Sequence, residues 1–163
     1  MFLKPEWAVT VERKVFEHRE KGEYLVHRYV IMPDHFHVIL TPGSRTTLER
    51  AAQLIKGGSS YDIGRAFQTR FPVWQPGFTQ HLIRDRADYE SHVRYIDANP
   101  VSKGLAERPE EYQFCSAYGK YRLDPWPVAS GAKAPSGGRT MTAGLKPRPY
   151  FPHKTPKGGR EHI

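Results

Sequence analysis

Apolar residues in the first third of the chain recur at two different intervals, and each interval predicts one kind of secondary structure. After Pro5 they return every three to four positions, which predicts a helix ending near Arg19. Residues 24–32 and 35–40 are instead rich in aromatic and β-branched side chains, which indicates two strands. Because Pro33-Asp34 between them is a turn pair, the two strands are expected to form a hairpin.

The middle of the chain predicts a second helix and a third strand. Thr46 or Thr47 is placed to cap a helix whose apolar residues follow at helical spacing. This helix is expected to weaken at Gly57-Gly58, since glycine is a poor helix former. Residues 78–83 then have the composition of another strand.

A third helix is expected over 85–99, because acidic residues stand at its start and Pro100 follows it. Strands and helices in this order predict an α+β fold, in which helices pack on one side of an antiparallel sheet. The folded domain is expected to cover residues 1–123.

Composition changes after residue 123. Residues 124–163 are rich in proline, glycine and basic residues and poor in branched apolar ones, so they are expected to be mostly disordered. From 122 to 163 the chain has eight Lys and Arg against two acidic residues, which is most of the formal charge of +8. A basic chain favours a polyanionic partner, although a solvated tail explains this charge equally well.

Other sequence features bound the setting of the protein. The longest apolar runs are far shorter than the ~20 residues of a membrane span, and the N-terminus lacks the pattern of a secretory signal. Cys115 is the single cysteine, so an internal disulfide and a cysteine zinc site are excluded. These features favour a cytoplasmic protein, nucleoid-associated if it binds DNA.

Two histidines in the second strand are the first candidates for chemistry. Alternate side chains of a strand share a face, so His35 and His37 are expected to point one way while Phe36 points into the core. Two neutral imidazoles on one face can bind a metal. Two hydrogen-bonded structural histidines fit the same spacing, and the pair alone leaves both interpretations open.

The third helix has a polar face around one tyrosine. At 100° per residue, three polar residues lie within about 60° of Tyr95: Asn99, His92 and Asp88. Tyr89 falls with the apolar residues and is expected in the core. Tyr95 therefore stands among groups that bind metals or move protons, but a packing tyrosine and a helix-ending asparagine are also compatible with the pattern.

Three segments together resemble the REP-associated tyrosine transposases, relatives of the smallest insertion-sequence transposases. Residues 32–40, MPDHFHVIL, resemble the HUH segment of that family. Residues 95–105, YIDANPVSKGL, are similar to its nucleophile helix and the turn after it. Residues 74–85, WQPGFTQHLIRD, resemble its connecting strand. The segments occur in family order, and the likeness extends from about Phe2 to Tyr118.

The resemblance implies a ferredoxin-like HUH endonuclease fold and a transposase that cleaves and rejoins single-stranded DNA at hairpin-forming palindromic repeats. Tyr95 would be the nucleophile and would form a 5′-phosphotyrosine. His35, His37 and Asn99 would hold Mg²⁺ or Mn²⁺, which offsets the weak nucleophilicity of a phenol with an ordinary pKa of ~10. The sequence leaves open whether the enzyme is a monomer or a homodimer.

Basic residues near these segments are candidates for DNA contacts, and for any one of them a solvated surface charge is the simpler interpretation. The candidates are Arg45, Lys56, Arg84, Arg94 and Lys103, with Arg50 beside them. Residues 56–60 also resemble a family segment that lies close to DNA.

One departure from the family concerns the sheet. Family members normally begin with an additional β-strand before the segment that matches residues 2–19, and Met1 stands where that strand should have ended. Either the true start lies upstream, or the sheet lacks its first strand and exposes an edge or a gap.

Two other functions stay open on sequence alone. A catalytically impaired hairpin-binding protein would keep the fold without cleaving DNA. A metal-dependent hydrolase would use a metal-bound water, form no covalent adduct and have no need of Tyr95. The sequence does not reveal the target repeat.

Overall fold

The computed structural model describes residues 4–69 and 73–126 and the backbone of 141–145. Over these ranges the helices are α1 (Pro5–Glu20), α2 (Leu48–Phe67) and α3 (Arg86–Ser102). The strands of the same ranges are β1 (Tyr24–Ile31), β2 (Phe36–Pro42), β3 (Thr79–Leu82) and β4 (Met141–Leu145). This element order confirms the predicted α+β class. No helix of the described ranges is both long and apolar enough to cross a membrane.

The strands form one antiparallel sheet in the order β1-β2-β4-β3. β1 and β2 are the predicted hairpin. β4 pairs with β2 along one edge and with β3 along the other, so that Gly144 is the partner of both His37 and Thr79. The hairpin and β3 are thus joined through β4.

The position of β4 corrects two expectations. The disorder expected for 124–163 is wrong for 141–145, which form a strand, and for 124–126, which pack on the domain; the rest of that segment lies outside the described residues. Of the alternatives that the sequence left open for a missing first strand, a gap in the sheet is not found among the described strands, because β4 lies between β2 and β3. The β4 sequence MTAGL has a weak strand propensity, so its pairing with two strand edges outweighs its composition.

The sheet has an apolar core on each face. Alternate residues of β2 are buried in one cluster with α1 and α2: Phe36, Val38 and Leu40. Ile39 points the other way and packs in a second cluster with Ile96 of α3. The expectation that helices cover one side is therefore wrong, since α3 lies opposite α1 and α2. Strand alternation places His37 on the face of Ile39, towards α3.

A β-bulge at His27 keeps both halves of β1 in the first cluster. The pairing with β2 shifts between Val26 and Arg28, and the extra residue allows Val26 and Tyr29 to face the same way. The His27 ring is buried and lies within hydrogen-bond distance of the Asp124 carbonyl and Thr41 Oγ1, at 3.0 and 2.9 Å. Burial lowers the pKa of His27.

The predicted weakening of α2 and the predicted end of α3 are both wrong. α2 continues through Gly57-Gly58, where a Cβ on Gly58 would lie 3.2 Å from the Lys14 Cδ of α1, so this glycine allows close packing of the two helices. α3 continues through Pro100 to Ser102, because one missing N–H donor does not offset the packing of the final turn. Thr47, one of the two predicted caps, accepts a hydrogen bond from the Arg50 N–H.

Gly43→Ala is expected to destabilise the fold by about 1–3 kcal/mol, the usual cost of an overpacked site. A Cβ at Gly43 would lie 2.7 Å from the Gly22 carbonyl oxygen and 2.9 Å from that of Glu23, so backbone must move. Gly57→Ala is the control, because nothing lies within 4 Å of its Cβ position, and it should stabilise the helix by about 0.5–1 kcal/mol. Chemical denaturation measures both, and equal stability of Gly43→Ala and wild type would contradict the packing argument.

Candidate active site

The histidines near the start of β2 and a tyrosine of α3 meet on one face of the sheet. The rings of His37 and Tyr95 are in edge contact, with centroids 5.2 Å apart and an interplanar angle of 79°. The His35 ring contacts His37 in the same manner at 4.8 Å. Strand alternation predicted the face of β2 that carries His37, and helix periodicity predicted the face of α3 that carries Tyr95. The structure brings these two faces into contact. The three side chains belong to one chain, so their assembly requires no second copy.

His35 lies one residue before β2 and is held by the turn that precedes it. Its carbonyl oxygen accepts the Met32 N–H at 2.8 Å. Its Nδ1 lies 2.6 Å from Asp34 Oδ1, and its side chain is largely buried. When Nδ1 of His35 carries the proton and donates a hydrogen bond to Asp34, Nε2 keeps the lone pair that a metal requires.

Asn99 lies one helical turn after Tyr95 and is buried. Its Nδ2 donates a hydrogen bond to the Tyr95 carbonyl oxygen at 2.7 Å, which fixes the amide orientation and leaves Oδ1 as an acceptor. Because α3 continues to Ser102, Asn99 is not the residue that ends the helix.

The donor types of the predicted ligand set are compatible with a divalent metal. His35 and His37 would supply imidazole nitrogens and Asn99 an amide oxygen, donors that suit Mn²⁺ and, less tightly, Mg²⁺. The structure brings the rings of His35, His37 and Tyr95 together, and its contact for the Asn99 side chain is with the Tyr95 carbonyl. Two of the predicted ligands have a partner that fixes their orientation: Asp34 for His35 and the Tyr95 carbonyl for Asn99. All three groups are neutral as ligands, so a bound phosphate would add the negative charge that the cation requires.

The two tyrosines of α3 have different surroundings, as predicted. Tyr89 packs against the second core cluster, with its ring stacked on Trp126 at 4.6 Å, and burial raises its pKa. Tyr95 is 55% exposed. Its hydroxyl is therefore accessible to a large substrate, whereas Tyr89 serves the core.

An open cleft of about 350 Å³ lies between β3 and α3, and Tyr95 and His37 form part of its wall. His81 and His92 also line it, with their rings stacked at 4.4 Å. Sequence analysis placed His92 on the polar face of α3 but missed His81. The position of His81 in the chain could have indicated it, because its strand immediately precedes α3 and so runs beside the first turns of that helix.

Asp88 links these two histidines. Its carboxylate lies 3.1 Å from His81 Nε2 and 3.0 Å from His92 Nδ1, and it accepts the Arg84 N–H at 3.2 Å. Burial by itself would raise the pKa of Asp88, but the hydrogen bonds from His81 and the Arg84 N–H outweigh this effect and lower it. Asp88 is thus ionised and hydrogen-bonded at the edge of the cleft.

An ion pair that the sequence did not indicate holds α3 to the sheet. The Arg28 guanidinium of β1 donates to both Asp97 oxygens, from Nε at 2.8 Å and from Nη2 at 2.5 Å. Both side chains are largely buried, and the fork geometry fixes direction as well as distance. Asp97 stands two residues after Tyr95, so this ion pair fixes against β1 the turn of α3 that carries the tyrosine.

The predicted DNA-contacting residues fall into two groups. Four of them are exposed: Arg45, Arg84, Arg94 and Lys103. Lys56 is half-buried and donates to the carbonyl oxygens of Gln75 and Gly77 at 2.6 and 2.7 Å, and burial lowers its pKa. Lys56 therefore ties the segment before β3 to α2, a structural contact that its sequence did not suggest.

Comparisons with known proteins identify the family of the chain. Residues 1–99 match the sequence profile of the family described as "Transposase IS200 like". A REP-associated tyrosine transposase of Escherichia coli (strain K12) is 30% identical over 105 residues, which are 61% of this chain and 61% of the relative. A putative REP-associated tyrosine transposase of Haemophilus influenzae is 28% identical over 109 residues, or 60% and 61% of the two chains.

A solved structure of a REP-associated tyrosine transposase bound to a REP hairpin has a similar fold. The TM-score is 0.56 and the identity 25%, over 79% of this chain and 77% of that one. The sheet and helices described above thus define a protein with the fold of the REP-associated tyrosine transposases. The chain belongs to the IS200-like transposase family. It spans about 61% of the length of the curated relatives that it matches.

Proposed function

We propose that the protein cleaves and rejoins single-stranded DNA as a transposase-type endonuclease and strand transferase, with Tyr95 as its nucleophile. The observation that carries this proposal is an exposed tyrosine on an open cleft, in ring contact with His37. Membership of the IS200-like family and the names of the relatives support it.

The proposed reaction exchanges one phosphodiester for another. The Tyr95 oxygen attacks the phosphorus, the bond from phosphorus to the 3′-oxygen breaks, and the phenolic proton is lost to solvent or to that leaving oxygen. The products are a 5′-phosphotyrosine and a free 3′-hydroxyl. The phosphotyrosine ester conserves the energy of the cleaved phosphodiester. Attack by a 3′-hydroxyl can therefore rejoin the strand without ATP.

His35, His37 and Asn99 would hold the Mg²⁺ or Mn²⁺ that such a reaction uses. When bound, the ion neutralises charge that develops on the phosphate oxygens and orients the phosphate for attack. The chain itself supplies the orientation of these ligands, through Asp34 and the Tyr95 carbonyl. The Arg28–Asp97 pair positions the helix from which Tyr95 reaches the cleft.

The proposed substrate is single-stranded DNA that folds into a hairpin, since a relative of similar fold has been solved bound to a REP hairpin. The exposed Arg45, Arg84, Arg94 and Lys103 are available for phosphate contacts. Lys56 would act on DNA indirectly, by holding the segment that it clamps. A monomer suffices for the contact of His37 with Tyr95, and a homodimer stays compatible with it.

Cleavage of a hairpin-containing oligonucleotide is expected to require Mg²⁺ or Mn²⁺ and to be lost in His37→Ala, with DNA binding largely retained. The reason is that His37 would bind the metal and not the bases. His18→Ala is the matched control, because His18 belongs to α1 on the opposite face of the sheet, and it should cleave normally. A gel assay of cleavage and a filter assay of binding measure both properties.

The same assays separate the competing functions. A catalytically impaired hairpin-binding protein would bind the oligonucleotide and leave it intact with either metal. Undiminished cleavage in EDTA would exclude the metal role of His35, His37 and Asn99.

A further inference from the structure

A second group of metal-ligating side chains stands at the cleft, and none of its members belongs to the proposed set of His35, His37 and Asn99. It consists of His81 on β3 and of Asp88 and His92 on α3. One ligand atom can be chosen from each residue so that all three atoms lie within 4.8 Å of one another. We call these three residues the β3–α3 cluster.

The distances between Asp88 and His81 match those between two ligands of one ion. Ligands bound at about 2.0–2.2 Å to one ion, at bond angles near 90–110°, lie roughly 3.0–3.5 Å apart. The Asp88 oxygens lie 3.1 and 3.3 Å from His81 Nε2, and Asp88 Oδ1 lies 3.0 Å from His92 Nδ1. Asp88 thus stands at ligand spacing from His81 Nε2, and the His92 ring lies beside the same carboxylate.

Backbone hydrogen bonds hold Asp88 and His92 in place. The Asp85 carboxylate caps α3 by accepting the Asp88 N–H at 2.9 Å, and the Asp88 carboxylate accepts the Arg84 N–H at 3.2 Å. His92 Nδ1 also lies 2.8 Å from the Asp88 carbonyl oxygen. With the proton on that nitrogen, Nε2 of His92 keeps the lone pair that coordination requires. The carboxylate and one imidazole are therefore positioned in advance of any ion.

We propose that His81, Asp88 and His92 form a second divalent-metal site that takes a transition metal such as Mn²⁺. Two imidazoles and one carboxylate favour Mn²⁺ over Mg²⁺ or Ca²⁺, which prefer oxygen ligands. The His81 side chain is half-exposed, so solvent or a phosphate oxygen can complete the coordination shell. The site opens on the cleft that Tyr95 lines, and its ion adds positive charge where a phosphate would bind.

Direct binding of Mn²⁺ to the full-length protein, without DNA, tests this site apart from the proposed cleavage. Electron paramagnetic resonance of free Mn²⁺ gives the number of ions bound per chain. His81→Ala is expected to bind one Mn²⁺ fewer than wild type, whereas His18→Ala should bind as many as wild type. His35→Ala/His37→Ala should keep the equivalent that His81→Ala loses.

His81 is an exposed residue of an edge strand, so its truncation should leave the fold intact, and circular dichroism verifies this. Asp88→Asn gives an independent variant that keeps the shape of the side chain and removes its charge, and it should lose the same equivalent. The proposal is overturned if His81→Ala and Asp88→Asn both bind as much Mn²⁺ as wild type. In that event the β3–α3 cluster is an ion pair between Asp88 and its histidines. The assay contains no DNA, so it does not depend on the proposed cleavage. If the protein binds this ion but cleaves no DNA, the proposed function is refuted and the metal site is not.

Discussion

Tyr95→Phe is expected to abolish the covalent adduct between the protein and single-stranded DNA, while Tyr89→Phe still forms it. The substitution removes the attacking oxygen and leaves the ring that contacts His37. Since Tyr95 is 55% exposed, the change in the free energy of unfolding should stay within about 0.5 kcal/mol. Tyr89→Phe is the matched control on the same helix, and it keeps the ring that stacks on Trp126.

The adduct is measured as a slower band on a denaturing gel after incubation with a hairpin oligonucleotide and Mn²⁺. A metal-dependent hydrolase would cleave the oligonucleotide without an adduct and would tolerate Tyr95→Phe. Adduct formation by Tyr95→Phe would assign the nucleophile to another residue. Loss of the adduct in both variants would indicate that the substitutions disrupt α3, and it would not identify the nucleophile.

The faces on which His37 and Tyr95 lie were predictable, because each residue lies in an element with its own strong period. The alternation of β2 sets the face of His37, and the helical repeat of α3 sets the face of Tyr95. Neither period says that the two faces meet. That step came from the resemblance of the segments to a known family, and the ring contact in the structure agrees with it.

Contacts between distant segments were not predictable from such local patterns. The Arg28–Asp97 pair, for example, joins β1 to α3. A charged residue carries no periodic signal that identifies its partner. The sequence also did not show that α3 covers the face of the sheet opposite α1 and α2, because the apolar face of a helix does not identify the surface on which it packs.

Local propensity also failed where tertiary packing is strong. Gly57-Gly58 would weaken an isolated helix, but Gly58 lies against Lys14 of α1 and permits the close approach of the two helices. Pro100 is buried, and α3 continues for two residues beyond it. In both places the energy of packing exceeds the intrinsic preference of the residue, which sequence statistics alone cannot weigh.

Deletion of 127–163 is expected to destroy the cooperative fold of the domain, although its composition suggests a dispensable tail. The deleted part contains β4, which pairs with β2 and with β3. Without β4, the inner edges of both strands lose their backbone hydrogen-bond partners and become available for aggregation. The hairpin carrying His37 would also lose its connection to the strand carrying His81, and cleavage should be lost together with the fold.

Deletion of 146–163 is the matched control, because it removes much of the same basic segment and retains β4. It should melt within a few degrees of wild type, whereas deletion of 127–163 should show no cooperative melting transition by circular dichroism. A point variant separates the strand from the length of the tail. Ala143→Pro removes an N–H from a strand paired on both sides and should destabilise the sheet, because proline cannot donate to the ladder. If the 127–163 deletion and Ala143→Pro both melt like wild type, then β4 does not support the sheet and the site is assembled by 1–126 alone.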